Sequence, residues 1–310
     1  MLNIVSWNVR YFSHPTRGIT STDRGLRRIA KALADLDPQP DVIALQEIDE
    51  QSLRSALVRA TRRSGSEPAS PLDRFVSSLN DWSLARGGHL YQTQFYPAHG
   101  HDRRLPLIST GLAILYRSSL EQLDHNGHDP LDITHRRISR LGSIKQKRIC
   151  AWSRFRDPRR QTTFDVFNTH LSLPAFLQRA QGPNGRRFGE ADNQLREVDR
   201  VLEFTMRRGR PETTLLVGDF NALPGSRVYN RITGSTLLRD AHADHLGLAT
   251  HEMERLPSAG FMNLRYRLDH IFSGPEVRFT DFRHTRPFGA DHPMRGLSDH
   301  VPLVGRFSIY

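Results

Sequence analysis

Cysteine is almost missing from this chain of 310 residues. Cys150 is the single one, so no intrachain disulfide can form and no cysteine cluster is available to a soft metal. Lysine is nearly as scarce, since Lys31, Lys145 and Lys147 stand alone among 44 basic residues and all the others are arginine. Long apolar runs are lacking too. No stretch approaches the ~20 apolar residues that a membrane-spanning helix needs. The first apolar run starts at Leu2, which leaves no room for the charged and apolar regions of a secretory leader. A disulfide scaffold and a helical membrane protein are therefore excluded. The chain as written reads as soluble and cytoplasmic, and as secreted only if a leader had been removed from it.

What is present is an excess of positive charge on a chain able to bury a core. Against the 44 basic residues stand 33 acidic ones, a formal net charge of +11, and 37% of the residues are hydrophobic. Arginine offers phosphate a fork of donors and stays charged at any accessible pH, which suits nucleic acid or an anionic lipid surface. Codon bias explains the arginine-to-lysine ratio equally well but not the net charge. Length and composition fit one domain over residues 1–310, a monomer.

The most informative pattern is an apolar run that stops abruptly in polar chemistry. Leu215-Leu216-Val217-Gly218 ends in Asp219-Phe220-Asn221. Side chains alternate along a strand, so Asp219 and Asn221 leave on one side and Phe220 turns into the packing. The pattern recurs at Asn8, at Glu47, at His170 and at Asp269, and Ser298-Asp299-His300 precedes the run from Val301 to Val304. Taken singly, each has a plain structural explanation. Asp-Phe-Asn is a good turn, Glu47 suits a helix N-terminus, and a lone histidine is usually a satisfied core residue. Ligands of sheet proteins collect where strands end, and six such points describe a dispersed site.

Periodicity supplies the frame. Leu26, Ile29, Ala30 and Leu33 form one helix face, with Thr22 or Asp23 as its cap. A second helix is expected after Glu47, with Leu53, Leu57 and Val58 inward, followed by a loop at 64–71. The clearest helix is 190–207, with Leu195, Val198, Leu202 and Met206 on one side and Glu197 among the charges opposite. Strands are expected at 90–96, 112–116, 148–155, 164–169, 213–218, 266–272, 276–284 and 301–308. Residues 118–143 read as a long polar excursion, and long ordered loops are usually functional. Helices interleaved with strands give α/β or α+β, with two sheets packed face to face and helices outside.

The pieces Ser6-Trp7-Asn8-Val9-Arg10, Leu45-Gln46-Glu47, Asn168-Thr169-His170-Leu171, Gly218-Asp219-Phe220-Asn221, Arg267-Leu268-Asp269-His270-Ile271 and Ser298-Asp299-His300 occur in one order. Together they resemble the endonuclease/exonuclease/phosphatase superfamily from Asn3 to about Phe307. Each tripeptide alone is a weak match, and the weight lies in the series. The resemblance implies a four-layer α/β/β/α sandwich of two mixed sheets. It also implies divalent-metal-dependent hydrolysis of phosphoesters by in-line attack of an activated water.

The implied roles follow residue by residue. Glu47 belongs in the metal shell, with Asn8 nearby and Asp299 beside it. Oxygen ligands without a cysteine cluster suit a hard cation, Mg²⁺ or alternatively Mn²⁺. Asp219 orients or activates the water, and Asn221 steadies the phosphate or a second metal. His170 and His300 face the phosphate, the latter held by Asp269. In deoxyribonuclease-like members the histidine matching His170 leans on a carboxylate near residues 112–116, and this chain has no acid between Leu105 and Glu121.

Two further groups lie in the excursion. His125, His128 and His135 with Asp124, Asp129 and Asp132 offer a second metal site or simply a solvated loop, and their spacing fits no zinc pattern. Arg136, Arg137, Arg140 and Lys147 form a candidate phosphate-tracking patch, with an ordinary basic face as the alternative. Asn168-Thr169-His170-Leu171 replaces the Tyr-x-Pro-Asn of AP endonucleases, which disfavours a base-excision role. Nucleic acid is the favoured substrate. An anionic phospholipid or inositol phosphate is the second reading, with Phe261-Met262 as a membrane contact, and a silent binding module is the third.

Overall fold

The computed structural model describes residues 1–12, 22–51, 70–98, 109–135, 147–174, 187–261, 263–282, 285–286 and 288–310. In chain order its strands begin with β1 (Leu2–Asn8), β2 (Val42–Gln51), β3 (Tyr91–Pro97), β4 (Ser109–Arg117), β5 (Glu121–His125) and β6 (Leu131–Asp132). They continue with β7 (Ile149–Asp157), β8 (Thr162–His170), β9 (Thr214–Asp219), β10 (Arg239–Asp240) and β11 (Ala259–Phe261). The last are β12 (Leu264–Tyr266), β13 (Asp269–Ser273), β14 (Val277–Asp281) and β15 (Leu303–Ile309). The α-helices are α1 (Asp23–Ala34), α2 (Pro71–Leu84), α3 (Asp192–Arg208), α4 (Arg227–Ser235) and α5 (Ala241–Leu246). No helix among the described residues is long and apolar enough to cross a membrane.

Two mixed sheets carry the architecture. One has the order β14-β15-β1-β2-β4-β3 and the other β10-β13-β9-β8-β7-β5. Within each, a parallel pair sits at the centre, β1 with β2 and β8 with β9. Period-two alternation sends the two faces of each strand into different apolar layers. Leu2 and Ile4 of β1 meet Leu215 and Val217 of β9 and Ile271 of β13 between the sheets. Val5 and Trp7 point the other way, onto Leu26, Ile29 and Leu33 of α1 and Phe75 and Leu79 of α2. Leu216, Phe220 and Phe272 pack under Val198, Leu202, Val228 and Ile232 of α3 and α4. These three apolar interfaces define four layers, a helix–sheet–sheet–helix sandwich. Each fully buried Leu, Ile, Val or Phe contributes about 1.5–3 kcal/mol relative to exposure.

Several elements differ from the sequence expectation. Strand β2 does not stop at Glu47 but runs on to Gln51 through a register shift against β4 between Leu45 and Ile48. Glu47 therefore stands at a bulge inside a strand, not at a helix N-terminus, and Leu53, Leu57 and Val58 lie outside the described residues. The segment expected as a loop at 64–71 ends in the start of α2. There Ser70 and Asp73 form a reciprocal capping box with proline in the first turn. The excursion at 118–143 carries β5 and β6, both paired with β7. In α3 Met206 is exposed and Glu197 is buried. The reason is polar: Glu197 accepts from the Ser172 N–H at 2.8 Å and its Oγ–H at 2.7 Å, which turns that face toward the loop after β8.

One glycine fixes how β9 ends. Gly218 has φ 145°, and a Cβ there would lie 2.0 Å from the Thr169 carbonyl oxygen on the neighbouring parallel strand. Only glycine lets the two strands meet at this point and lets Asp219 turn out. Gly218→Ala is expected to lower stability by at least about 1–3 kcal/mol, the usual scale of such backbone strain. Urea denaturation followed by circular dichroism measures it, and an unchanged midpoint would refute the role given to Gly218.

Candidate active site

The polar residues picked out along the chain assemble at one end of both sheets. Asn8, His170 and Asp219 are the last residues of β1, β8 and β9. Asp269 opens β13, which runs antiparallel to β9 with Asp269 opposite Asp219, so its first residue reaches the same end. His300 lies just before β15 and bridges to Ala259. Its backbone is held twice: the Trp7 indole N–H donates to its carbonyl at 3.0 Å, and its own N–H donates to Ser298 Oγ at 3.2 Å. The Ser298 hydroxyl in turn donates to the Asn8 carbonyl at 2.7 Å. Below this end Gln46 donates to Asn168 Oδ1 at 2.8 Å, and Asn168 donates to the Leu45 carbonyl, a buried amide bridge between the sheets.

Asn8 is the clamp of the centre. Its Nδ2 donates to Glu47 Oε1 and to Asp219 Oδ2, both at 3.1 Å. Its Oδ1 accepts the Arg10 N–H at 3.0 Å, and because a backbone N–H can only donate, the orientation of the amide follows. The side chain expected among the metal ligands thus presents its donors to two carboxylates and its oxygen to the Arg10 N–H. Asn221, expected to steady phosphate, donates from Nδ2 to the Leu171 carbonyl at 2.9 Å and from its backbone N–H to Asp219 Oδ1 at 2.9 Å. Phe220 between them is buried against Phe272, as the alternation requires.

The two histidines are electrically opposite. His300 Nδ1 is 2.8 Å from Asp269 Oδ2, and its Nε2 is 3.7 Å from Asp219 Oδ2. Burial works against its charge, but Asp269, Asp219 and Asp299 overcome that and raise its pKa to about 10. His300 is an imidazolium at neutral pH. Asp269 is itself oriented by the Ser258 hydroxyl, which donates to Oδ2 at 2.6 Å. His170 Nδ1 lies 3.0 Å from Arg148 Nη1. A guanidinium only donates, so Nδ1 accepts and the proton sits on Nε2, 3.4 Å from Asp219 Oδ2. Burial, Arg148 and His300 hold the pKa of His170 well below its ordinary value. On Nδ1 the partner that the sequence left open is thus a cation, Arg148, while Nε2 faces the carboxylate of Asp219.

The carboxylates feel the same enclosure. Burial raises the pKa of Asp219 to about 7, with His300 opposing and Asp269 reinforcing. Burial also raises that of Glu47, with Asn8 opposing. The residues present fit a hard divalent cation: the donors are oxygens, Glu47 is held in surroundings that disfavour its charge, and Asp269 Oδ1 is buried without a partner. Asp219, Asp269 and His300 also bring ligand atoms within 4.8 Å of one another. A protonated imidazole cannot coordinate, however, which favours the side of Glu47. Asp299 is drawn to the rim by an ion pair with Arg10. That arginine gained no role from sequence, because it reaches the site only through the left-handed turn of Arg10, Tyr11 and Phe12. Positive φ at non-glycine residues is otherwise confined, among the described residues, to Glu47, Asn221 and Gln161, so the strain gathers at the site.

Other expected residues stay apart. Arg136, Arg137 and Arg140 lie outside the described residues. Lys147 and Arg148 line the mouth of the centre with Glu47 and His170. The rings of His125 and His128 lie 5.4 Å apart, but His125 Nδ1 accepts the Gly127 N–H. Among the described residues the excursion gathers no metal-holding group.

A sequence profile described as the endonuclease/exonuclease/phosphatase family matches residues 5–300. The chain belongs to this family. Its members are hydrolases of phosphoester bonds and generally depend on a divalent metal. Comparison with curated proteins gives no match. Among solved structures, a family protein from Leptotrichia buccalis is similar at 15% identity and TM-score 0.62, each chain covered fully. The catalytic domain of human nocturnin with a bound sulfate is similar at 18% identity and TM-score 0.58, covering 100% of this chain and 93% of that one. A mannosyl-6-phosphatase from Bacteroides thetaiotaomicron is similar at 17% identity and TM-score 0.58, with both chains fully covered. At these identities the likeness concerns the fold.

The raised pKa of Asp219 has a measurable consequence for the metal-free protein. The folded state keeps this proton up to about 7, whereas the unfolded chain releases it near 3.8. Its contribution is therefore complete below 3.8 and lost as the pH rises through about 7. In EDTA at pH 8, Asp219→Asn should be more stable than the parent by about 1 kcal/mol or more. The difference should grow from pH 5 to 7 and level off above. A variant less stable than the parent at pH 8 would contradict this electrostatic reading.

Proposed function

We propose that the protein is a divalent-metal-dependent phosphodiesterase that cleaves nucleic acid by attack of an activated water. The observation that carries this reading is the meeting of Glu47, the Asn8 clamp, Asp219 and the Asp269–His300 pair at one end of both sheets. Asp219 is the base: its pKa near neutrality lets it take a proton from water while leaving a useful fraction ionised. His300, fixed by Asp269, sets positive charge against the phosphoryl oxygens, and the Nε2–H of His170 offers them a neutral donor. Asn8 holds Asp219 in line with Glu47, and Asn221 braces Asp219 through its backbone. Glu47, with Asp299 at the rim, would hold Mg²⁺ or Mn²⁺, which when bound supplies Lewis-acid stabilisation of charge on the phosphate.

The preference for nucleic acid rests on the cations around the acidic centre. Lys147 and Arg148 stand at its mouth, the net charge is +11, and Arg136, Arg137 and Arg140 follow in the same stretch of sequence. Such cations suit a chain of phosphates on either side of the one that reacts. A lipid or inositol phosphodiesterase would use the same cations against headgroups. Initial rates on plasmid, single-stranded DNA, RNA and sphingomyelin vesicles separate the two readings.

Chelation should abolish turnover of bis-p-nitrophenyl phosphate, and added Mg²⁺ should restore it. Glu47→Gln should raise the Mg²⁺ concentration needed for half-maximal rate, and His300→Ala should lower kcat about 10²-fold, the usual scale of a positioned electrostatic stabiliser. Undiminished activity in EDTA would overturn the metal dependence. For the substrate, Lys147→Gln should flatten the log–log salt dependence of duplex DNA binding by about 0.9, one phosphate contact. An unaltered slope would remove Lys147 from the track.

A further inference from the structure

Asn221 stands in a left-handed backbone conformation, with φ 47°, and in that conformation its N–H reaches Asp219 Oδ1 at 2.9 Å. Asparagine tolerates this region better than most residues with a side chain, but it does not prefer it. The N–H and the carbonyl of Asn221 belong to the two peptide units whose relative rotation is set by its φ and ψ. Holding both groups therefore holds the conformation. Asp219 takes the N–H, and Gln194 of α3 takes the carbonyl, its Nε2 donating at 2.8 Å.

Gln194 is fully buried, and its whole amide is used on backbone. Nε2 also donates to the Ser172 carbonyl at 2.9 Å, two residues past His170, and Oε1 accepts the Gly189 N–H at 3.0 Å. Carbonyls only accept and a backbone N–H only donates, so the amide has one orientation. A buried amide is costly without such partners, whereas an apolar side chain would pack on this face of α3 with no polar group to satisfy. The three bonds join the ends of β8 and β9 to the turn ahead of α3, and one of them ends beside the proposed base.

We propose that Gln194 is a positioning residue for hydrolysis: by holding the Asn221 carbonyl it keeps the Asn221 N–H on Asp219, and so sets the direction in which that carboxylate meets water. This role rests on the assignment of Asp219 as the base. Asp219 is tied at both oxygens, Oδ1 by Asn221 and Oδ2 by the Asn8 amide at 3.1 Å. Releasing Oδ1 leaves the group free to turn about its Cβ–Cγ bond. A misplacement of a reacting group by about 1 Å costs up to about 10²-fold in rate. Gln194 itself touches no reacting atom.

Two-dimensional proton–nitrogen spectra of protein labelled with nitrogen-15 asparagine read the Asn221 N–H directly, its signal identified by its loss in Asn221→Gly. In EDTA the signal should lie downfield, as for an N–H on a carboxylate, and move upfield in Asp219→Ala. Gln194→Met, which keeps the length of the side chain and removes its amide, should move it upfield as well. With Mg²⁺ and bis-p-nitrophenyl phosphate, the same variant should lose at least about ten-fold in kcat with KM unchanged. Leu202→Ala, which loosens the packing of α3 without touching Asn221, should lower the melting temperature but leave the signal and kcat as in the parent. If Gln194→Met fails to fold, Gln194→Glu serves, since its carboxylate keeps an acceptor for Gly189 and has no proton to give the Asn221 carbonyl. An unmoved Asn221 signal in a folded Gln194 variant would overturn the linkage, and an equal loss of kcat in Leu202→Ala would reduce Gln194 to a stabilising residue. Full kcat in Asp219→Ala would overturn the assignment of the base and the role that rests on it, while the Asn221 signal would still decide whether Gln194 holds the hydrogen bond.

Discussion

Three carboxylates, the buried Asp219 and Asp269 and the half-buried Glu47, gather at one end of the sandwich, and the arrangement around them follows from the need to hold like charges together with little water. Asn8 answers part of it, giving one amide to two of the acids across the gap between the sheets. His300 answers another part as an imidazolium between Asp269 and Asp219. The remaining deficit is visible as the raised proton affinities of Glu47 and Asp219 and the orphaned oxygen of Asp269. A divalent cation is the natural complement, because it stabilises the ionised forms that the protein alone disfavours.

The sheets provide stiffness and their irregularities provide aim. Regular β-structure alternates its side chains, so a plain strand end delivers one side chain toward the site and buries the next. The additional directions come from a bulge at Glu47, the glycine ahead of Asp219 and the left-handed turn after Asn8. The loops that leave this end of the second sheet are braced by hydrogen bonds from residues with no part in chemistry. Gln194 donates to the carbonyls of Ser172 and Asn221, and Glu197 binds Ser172, so α3 pins the two loops that follow β8 and β9. His270 does the same from below, its Nε2 lying 2.9 Å from the Ala222 carbonyl.

Sequence reveals those features that depend on local alternation. The ends of β1, β8 and β9 are legible because apolar residues stop at a polar one, and the inward faces of α1 follow from spacing alone. Other features depend on partners far away in the chain. Arg148 reaches His170 only because β7 and β8 pair with Cys150 opposite Thr169, which no local pattern states. Glu197 is buried because Ser172 supplies it with two donors. The start of α2 was within reach of sequence, since Ser70 and Asp73 have capping-box spacing around a proline at the first helical position. The bulge at Glu47 leaves no mark, as its residues would suit a straight strand equally well.

The pairing of β1 with β15 joins residues near position 4 to residues near position 305, and His300 lies in the approach to that last strand. During synthesis from the N-terminus, β1 therefore waits with one edge open while nearly all of the chain is made. Until the residues of β15 arrive, the first sheet lacks a central partner for β1 and the acidic centre lacks its imidazolium. The acidic centre is thus closed by the part of the chain that lies farthest in sequence from the strand on which it is founded.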